Sequence, residues 1–209
     1  MVFLKEKVIA MSLADLHVHT TASDGVLSPE VVIRWADKLG LAAIAITDHD
    51  TTEGLDAAIE RGSKVGLEVI PGIELGTYVD GCEVHILGYY IHYSQKWFQS
   101  KLESLKAWRN LRAEKLIENL NDIYDIDMDF EHVRKIAGNA AISRPHIGRA
   151  LMDMGLAKDL TEAFNKYIGN KCPAYVPRRT LSPQEGIDLI KRSGGIPILA
   201  HPGLIADKS

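Results

Sequence analysis

The chain has 209 residues, of which 46% are hydrophobic and 25% are charged, and its formal net charge is −4. These values are typical of a globular protein with a substantial core, and they give no indication of duplex DNA binding through overall charge. No apolar run approaches the ~18–20 residues of a membrane span, and residues 1–12 have no signal-peptide pattern. Cys82 and Cys172 lack the spacing of a zinc ribbon or disulfide scaffold. We expect a cytoplasmic protein of one domain, with or without an insertion.

The first half of the chain repeats one pattern of strand, polar loop, capped helix, glycine and strand. Predicted helices cover residues 29–39 and 52–65, and predicted strands cover residues 41–47, 67–71 and 83–90. The strand at residues 41–47 is continuously apolar, which is typical of a parallel strand that is covered on both faces. Because tight alternation of strands and helices is typical of βαβ units, we predict an α/β fold with a parallel sheet, as a barrel or an open sheet.

This alternation stops between residues 95 and 179. Apolar residues from Trp97 to Leu120 recur there at roughly helical spacing. Further helical segments, each closed by a glycine, are predicted near residues 130–137, 145–154 and 160–168. We interpret residues 95–179 as a helical insertion on the loop side of the barrel.

The strand and helix pattern then resumes. Ser182 begins a capping box, the following helix ends at Gly194, and residues 196–200 form another buried strand. We therefore expect a discontinuous barrel domain, residues 1–94 and 180–209, interrupted by the insertion.

A pair of histidines lies on the first predicted strand. His17 and His19 alternate along it and therefore leave the same face. Two imidazoles roughly 7 Å apart at their Cα atoms can close on one metal ion. Asp24 follows in a polar loop and can add a carboxylate. The two histidines alone are equally compatible with a half-solvated strand that binds nothing.

Further histidines and carboxylates follow the same rule of position. Five of the eight histidines lie on or at the ends of predicted strands: His17, His19, His49, His85 and His201. Asp24, Asp48 and Glu74 also follow strand ends. Because parallel α/β folds build their sites at the carboxyl ends of strands, this distribution favours a metal site over scattered core histidines. Histidine nitrogens with bridging carboxylates suit zinc, manganese or iron.

Taken in order, these residues resemble the successive motifs of the polymerase and histidinol phosphatase (PHP) superfamily. The motifs are Asp15-Leu16-His17-Val18-His19-Thr20, Thr47-Asp48-His49, Gly72-Ile73-Glu74, Val84-His85 and Ala200-His201-Pro202-Gly203. The resemblance runs from Leu13 to Gly203. Ser23-Asp24-Gly25 and the helical insertion look more like the branch of small phosphoesterases that act on nucleotides or RNA 5′ ends than like histidinol phosphatases.

The resemblance implies a distorted (β/α)7 barrel with two or three divalent metal ions, and catalytic roles for Asp24, Glu74 and His201. The ligand set that it implies is His17, His19 and Glu74 for one ion, Glu74, His85 and His201 for a second, and Asp24 and His49 for a third. Similar proteins complete the first and third sites with a late Asp-x-His motif, which is not visible after His201. Five strands are visible where seven are implied, so we expect an incomplete, C-terminally truncated barrel.

The chemistry that the resemblance implies is hydrolysis of a phosphoester. Metal ions this close together lower the pKa of a shared water and neutralise the phosphoryl oxygens that it attacks. Asp15 and Asp48 could accept hydrogen bonds from the ligand histidines and fix their tautomers, or they could simply bond the backbone at the strand ends.

A second set of residues could bind the phosphate. Ser143, Arg144 and His146 open a predicted helix, where backbone N–H groups and an arginine form a credible phosphate clamp. The same pattern could merely start a helix. Arg149, Arg178 and Arg179 are weaker candidates. Residues 95–115 carry six Lys or Arg against two Glu, which could guide a polyanion or form a solvated helix face.

The sequence thus favours a metal-dependent phosphoesterase that acts on nucleotides or short RNA, for example on a 3′,5′-nucleoside bisphosphate. The alternatives are a small-metabolite phosphatase of the histidinol phosphate type and a catalytically inert, metal-stabilised binding module. The expected partner is a phosphorylated small molecule, nucleotide or short RNA, with no membrane and no duplex DNA. The oligomeric state is left open.

Overall fold

A computed structural model describes residues 13–177 and 181–204 of the chain, without the side chain of Leu204. In that part of the chain the strands are β1 (Ala14–Val18), β2 (Ala43–Ile46), β3 (Glu68–Val79), β4 (Cys82–Tyr89) and β5 (Ile196–Leu199). The helices are α1 (Pro29–Lys38), α2 (Leu55–Val65), α3 (Lys96–Tyr124), α4 (Phe130–Ala137), α5 (Arg144–Asp153), α6 (Leu160–Ala163) and α7 (Pro183–Arg192). A π-helical turn, Phe164–Ile168, follows α6, and a 3₁₀ turn, Pro202–Leu204, follows β5. The predicted candidates Arg178 and Arg179 lie outside the described residues.

The five strands form one sheet in the order β1-β2-β3-β4-β5. β1, β2 and β3 are parallel neighbours, whereas β4 is antiparallel to both β3 and β5. The predicted α/β class is confirmed, but the prediction of a wholly parallel sheet is wrong. The reason is a two-residue turn, Asp80-Gly81, in which both residues have positive φ (48° and 83°). Such a turn joins antiparallel strands in a tight hairpin, and the Asp-Gly pair is its strongest sequence signal.

The hairpin decides where the functional side chains lie. Because β4 runs against β1, β2 and β3, its first residues lie at the edge where those strands end. His85, near the start of β4, therefore shares this edge with residues that follow β1 and β2. β5 is parallel to β3 again, so His201 follows its carboxyl end at the same edge.

The core has two clusters of buried apolar residues. One lies between the sheet and α1, α2 and α7, and it includes Phe98, Leu102 and Leu105 from the first half of α3. The other lies within residues 113–176 and includes Leu116 and Leu120 from the second half of α3. α3 is thus shared between the two clusters, and the domain division near residue 95 stays a prediction.

The sheet is open within the described residues. β1 and β5 are its two edges, and Ile196, Ile198 and Leu199 of β5 are each about half exposed (54%, 44% and 47%). An open five-stranded sheet with helices packed on it fits the predicted incomplete barrel. Along the part of the chain that the structure describes, no helix is both long and apolar enough to cross a membrane.

Candidate metal centre

The centre of the site is the carboxylate of Glu74, which is completely buried. Glu74 lies in the middle of β3, three residues beyond Pro71, which pairs with the last residue of β2, so Glu74 lies at the carboxyl edge of the parallel strands. Its Oε2 atom lies 3.1 Å from His17 Nε2, 3.1 Å from His19 Nε2 and 3.2 Å from His49 Nδ1. Three imidazoles from two strand ends therefore face one oxygen.

The other oxygen faces a second pair of imidazoles. Glu74 Oε1 lies 2.8 Å from His85 Nδ1 and 3.1 Å from His201 Nε2. The two oxygens of Glu74 thus face different histidine sets, as a carboxylate must when it bridges two metal ions. The resemblance also places His17 and His19 on one ion and His85 and His201 on another, but it assigns His49 to a third ion with Asp24, whereas His49 Nδ1 here faces Glu74 Oε2 as well.

The five imidazoles form a closed ring around Glu74. The centroids of neighbouring rings are between 4.6 and 5.8 Å apart. The order around the ring is His17, His19, His49, His85 and His201, and the last returns to the first. Every predicted histidine ligand is therefore brought to one place.

Asp24 lies at one side of this ring. Its two oxygens are 3.7 Å from His19 Nδ1 and 3.7 Å from His49 Nε2. Arg149 donates a hydrogen bond from Nη2 to the Asp24 carbonyl oxygen (2.7 Å). The structure thus places Asp24 next to His49, its expected co-ligand, and gives Arg149 a structural contact with the same loop.

The loop that carries Asp24 is held by Asp48. The buried carboxylate of Asp48 accepts hydrogen bonds from Thr20 N (2.7 Å), Thr20 Oγ1 (2.7 Å) and Ser23 Oγ (2.6 Å). Asp15 accepts one from the backbone N–H of His17 (3.2 Å). Of the two roles left open for these aspartates, the contacts fit bonding at the strand ends rather than bonding to imidazole rings.

The donor set fits divalent metal ions. His19 Nδ1 and His49 Nδ1 are buried, and neither makes a hydrogen bond of good geometry among the described residues, although His49 Nδ1 lies 3.2 Å from Glu74 Oε2. Buried polar atoms are ordinarily hydrogen-bonded. Two groups of ligand atoms lie within 4.8 Å of one another: His17, Glu74 and His201, and His19, His49 and Glu74. Ligands bonded to one ion at roughly 2.1 Å are at most about 4 Å apart, so a small contraction would close each group on an ion.

The charges of the site are strongly coupled. Burial alone would raise the pKa of Glu74, but hydrogen bonds with His17, His19 and His85 hold that pKa far below its usual range. Burial lowers the pKa of His49 to about 3, against the opposing attraction of Glu74 and Asp24. Glu74 is thus ionised and His49 neutral near pH 7, which are the states that bind metal ions.

In the predicted phosphate clamp, Ser143 and His146 bond to each other. The backbone N–H of Ser143 donates to His146 Nδ1 (3.1 Å), and the Ser143 hydroxyl lies 3.1 Å from the same atom. His146 is buried, also hydrogen-bonds the backbone of Ser23, and has its pKa lowered to about 4, chiefly by burial. Both polar side chains at this helix start are engaged within the protein.

Arg144 lies beside the metal centre. Its guanidinium donates from Nη2 to Glu83 Oε2 (2.6 Å) and from Nη1 to Asn170 Oδ1 (2.5 Å). Together with His85 and His201 it lines a cleft of about 190 Å³. Of the three predicted clamp residues, Arg144 is the one that lines this cleft together with predicted metal ligands.

Four further residues at the site were not singled out from the sequence: Asp50, Glu83, Arg109 and Arg112. Glu83 holds Arg144 and also accepts from Arg112 Nη2 (2.8 Å), while Arg109 Nη1 donates to Asp50 Oδ2 (2.7 Å). Two signals were available. Glu83 lies two residues before His85 and so shares its face of β4, and Lys106, Arg109 and Arg112 recur every third residue along α3.

A family model of the PHP domain matches residues 15–171. The chain belongs to the PHP domain family. The proposed resemblance is thereby confirmed, including its first four motifs, which lie within the matched residues.

Relatives of known name point to one branch of this PHP family. The 5′-3′ exoribonuclease Rnm of Escherichia coli is 37% identical over 90% of the chain and 65% of its own length. The 3′,5′-nucleoside bisphosphate phosphatase of Chromobacterium violaceum is 33% identical over 92% of the chain and 68% of its own length. The chain thus spans about two-thirds of the length of these relatives.

Two crystal structures share the fold. A metal-dependent phosphoesterase from Bifidobacterium adolescentis has a TM-score of 0.85 and 32% identity, covering 93% of this chain and 68% of its own. An amidohydrolase from Chromobacterium violaceum, solved with bound sulfate, has the same TM-score and identity, covering 92% and 68%. These likenesses confirm the predicted fold class, an α/β PHP fold whose barrel is incomplete over the described residues.

Proposed function

We propose that this protein is a metal-dependent phosphoesterase that hydrolyses phosphate monoesters or diesters of nucleotides or short RNA. One observation carries the proposal: five imidazoles converge on Glu74, and Arg144 lines the same cleft as two of them. The names of the relatives support it, because they include an exoribonuclease and a nucleoside bisphosphate phosphatase. Both of those activities break a phosphoester bond.

The residues that would hold the metal ions are the seven predicted ligands: His17, His19, Asp24, His49, Glu74, His85 and His201. Two or three divalent ions, of manganese, zinc or iron, suit this mixture of nitrogen and carboxylate donors. When bound, such ions supply a hydroxide near neutral pH and neutralise phosphoryl oxygens.

The protein itself contributes position and charge. Glu74 fixes the spacing between the two histidine sets, because its two oxygens face them from opposite sides. Arg144 offers a guanidinium at the wall of the cleft, already oriented by Glu83 and Asn170. A preorientated arginine loses little conformational entropy when it binds a phosphate, so it can align the scissile ester next to His85 and His201.

The location that we propose is the cytoplasm. Cys82 and Cys172 are both free thiols in the structure, as expected of a protein in a reducing compartment.

The test is a hydrolysis assay with the chain loaded with Mn²⁺, which follows inorganic phosphate released from monoesters and mononucleotides released from the RNA. The substrates are adenosine 3′,5′-bisphosphate, a short 5′-phosphorylated RNA and histidinol phosphate, each at the same concentration. We expect turnover of the first or second and at least about tenfold lower kcat/KM for histidinol phosphate, which has no nucleobase or second phosphate to bind. A preference for histidinol phosphate would indicate the small-metabolite phosphatase instead. No turnover of any phosphoester by metal-loaded protein would indicate an inert binding module.

A further inference from the structure

Beyond the last residue of β2, the chain continues to pair with β3 at one further position. Beyond β2, His49 and Glu74 form an isolated parallel bridge, in which Glu74 N donates to Asp48 O (3.2 Å) and Asp50 N donates to Glu74 O (3.0 Å). In a regular parallel ladder, the next donor on β3 would be Gly76 N, and its acceptor would be the carbonyl of Asp50.

The side chain of Asp50 takes the place of that carbonyl. The backbone of Asp50 turns into the left-handed region (φ 53°), which directs its carbonyl away from β3. Gly76 N donates to Asp50 Oδ1 instead (3.1 Å). The carboxylate therefore replaces the missing ladder bond beyond Glu74. We call this bond from Gly76 N to the Asp50 carboxylate the clip, because it links the two segments that carry the ligands His49 and Glu74.

This carboxylate is buried and carries a charge. The side chain of Asp50 is 1% exposed, and Arg109 of α3 donates to its second oxygen, Oδ2 (2.7 Å). Arg109 is itself 10% exposed. Removing one partner of such a buried pair leaves a desolvated charge without its counter-ion, which is strongly unfavourable.

A neighbouring pair offers a matched comparison. Lys106 lies one helical turn before Arg109 and donates to Glu53 (2.7 Å), on the same loop as Asp50. This pair is more exposed, at 27% and 45%, and within the described residues Glu53 makes no hydrogen bond to β3. Both basic residues connect the same helix to the same loop, but only Arg109 reaches the carboxylate that clips the ligands.

We propose that Arg109 is a positioning residue for the metal centre, acting through Asp50 to hold His49 and Glu74 at ligand distance. Arg109 touches neither metal ligand side chain by hydrogen bond. It keeps the Asp50 carboxylate in place, and Asp50 keeps the two ligand-bearing segments in register. The helical insertion thereby takes part in building the metal site. The proposal concerns metal binding and does not depend on which phosphoester is cleaved.

The experiment measures Mn²⁺ affinity of the chain from the electron paramagnetic resonance signal of free Mn²⁺. Three variants are compared: Arg109→Met, Lys106→Met, and the double variant Asp50→Asn/Arg109→Met. The Met side chains keep the apolar stem and remove the charge. In the double variant, Asn can still accept from Gly76 N, and both charges of the buried pair are removed together. Circular dichroism verifies that each protein is folded.

We expect Arg109→Met to weaken the tightest Mn²⁺ binding by about tenfold or more, as loss of residues that orient metal ligands commonly does. Lys106→Met should stay within about twofold of the parent, because exposed pairs contribute little. The double variant should return to within about threefold of the parent, because the clip is retained.

Two results would overturn the proposal. One is Mn²⁺ binding by folded Arg109→Met that is no weaker than that by Lys106→Met. The other is a double variant as weak as Arg109→Met, because the loss would then come from missing arginine packing and not from the clip. If Arg109→Met does not fold, the double variant decides alone: affinity near that of the parent supports the proposal, and a loss of about tenfold contradicts it.

Discussion

At the carboxyl edge of the sheet, five histidines from separate strand ends surround Glu74, whereas at the start of α5 the lone histidine His146 is turned back to its own helix cap. Both regions carry polar residues that the sequence marked as functional. The first region leaves two buried ring nitrogens without a hydrogen bond of good geometry among the described residues. In the second region, His146 Nδ1 accepts from Ser143 N of the same helix cap, and the ring also bonds the backbone of Ser23.

The difference follows from the type of element. A residue at the third position of a helix lies beside the unpaired N–H groups of the first turn, so a polar side chain there finds a partner within three residues. A residue at the end of a strand has no such local partner. Its side chain is therefore available to whatever the neighbouring strands bring to the same edge.

The largest effect, on Mn²⁺ affinity, is expected when Glu74 is substituted. Glu74→Gln removes the charge and replaces one acceptor oxygen by a donor, so the side chain can no longer face both histidine sets. We expect Mn²⁺ affinity to fall by on the order of 100-fold or more, since a direct ligand contributes more than the residues that orient it. Equilibrium dialysis followed by elemental analysis measures this.

The matched control for that change is Glu83→Gln. Glu83 lies on the neighbouring strand, but it pairs with Arg112 and Arg144 instead of histidines. The Mn²⁺ affinity of this variant should stay within about tenfold of the parent, because Glu83 pairs with arginines and acts on the neighbouring ligands His85 and His201 only indirectly. Equal losses in the two variants would mean that Glu74 is not a ligand.

A smaller effect is expected at His146, and it depends on pH. The folded pKa of about 4 lies below the ordinary value of 6.5, because burial disfavours the charged ring. Above pH 6.5 the ring is neutral in both states. As the pH falls from 6.5 to 4, the unfolded state binds the proton first, so stability is lost progressively, by about 3 kcal/mol in total.

His146→Gln should remove that share of the acid sensitivity, since Gln at this helix position can still accept from Ser143 N and does not titrate. The measurement is urea unfolding of metal-free protein at pH 7 and at pH 4.5, with the variant compared to the parent at each pH. A parallel decline of both proteins over this range would show that His146 does not resist protonation in the folded state.

The smallest effect is expected at Arg144, and it should appear in substrate binding. Arg144→Lys keeps the charge but loses the planar fork, so KM for adenosine 3′,5′-bisphosphate should rise about tenfold with kcat changed less than about threefold. Steady-state kinetics of Mn²⁺-loaded protein measures both constants. A fall in kcat at constant KM would instead place Arg144 in the chemical step.

The control is Arg134→Lys. Arg134 of α4 also bonds a backbone carbonyl, that of Ala140, and an asparagine, Asn110, and it stacks over Phe130. These contacts lie among residues 110–140, so the KM of Arg134→Lys should equal that of the parent. A rise in KM in both variants would point to a general disturbance of the insertion.

Much of the fold was predictable because its signals are local. The helix at residues 130–137 was placed at its observed bounds, and the Ser182 capping box is present with Glu185 as its partner. α2 begins at Leu55, three residues later than predicted, because Thr52 lies in the turn before the helix. The prediction of a parallel sheet overlooked the antiparallel hairpin, although the Asp80-Gly81 pair is a sequence signal for such a turn.

The candidate site likewise has a part that local sequence patterns predict and a part that they do not. Period-two alternation and strand ends are properties of a few neighbouring residues, so the sequence by itself determined which histidines and carboxylates share the carboxyl edge. The partners of the buried charges are properties of the whole fold. Arg109 finds Asp50 across 59 residues and Arg144 finds Glu83 across 61. Only the tertiary structure decided these pairs, because burial and distance select among many possible charge partners once the helices have packed.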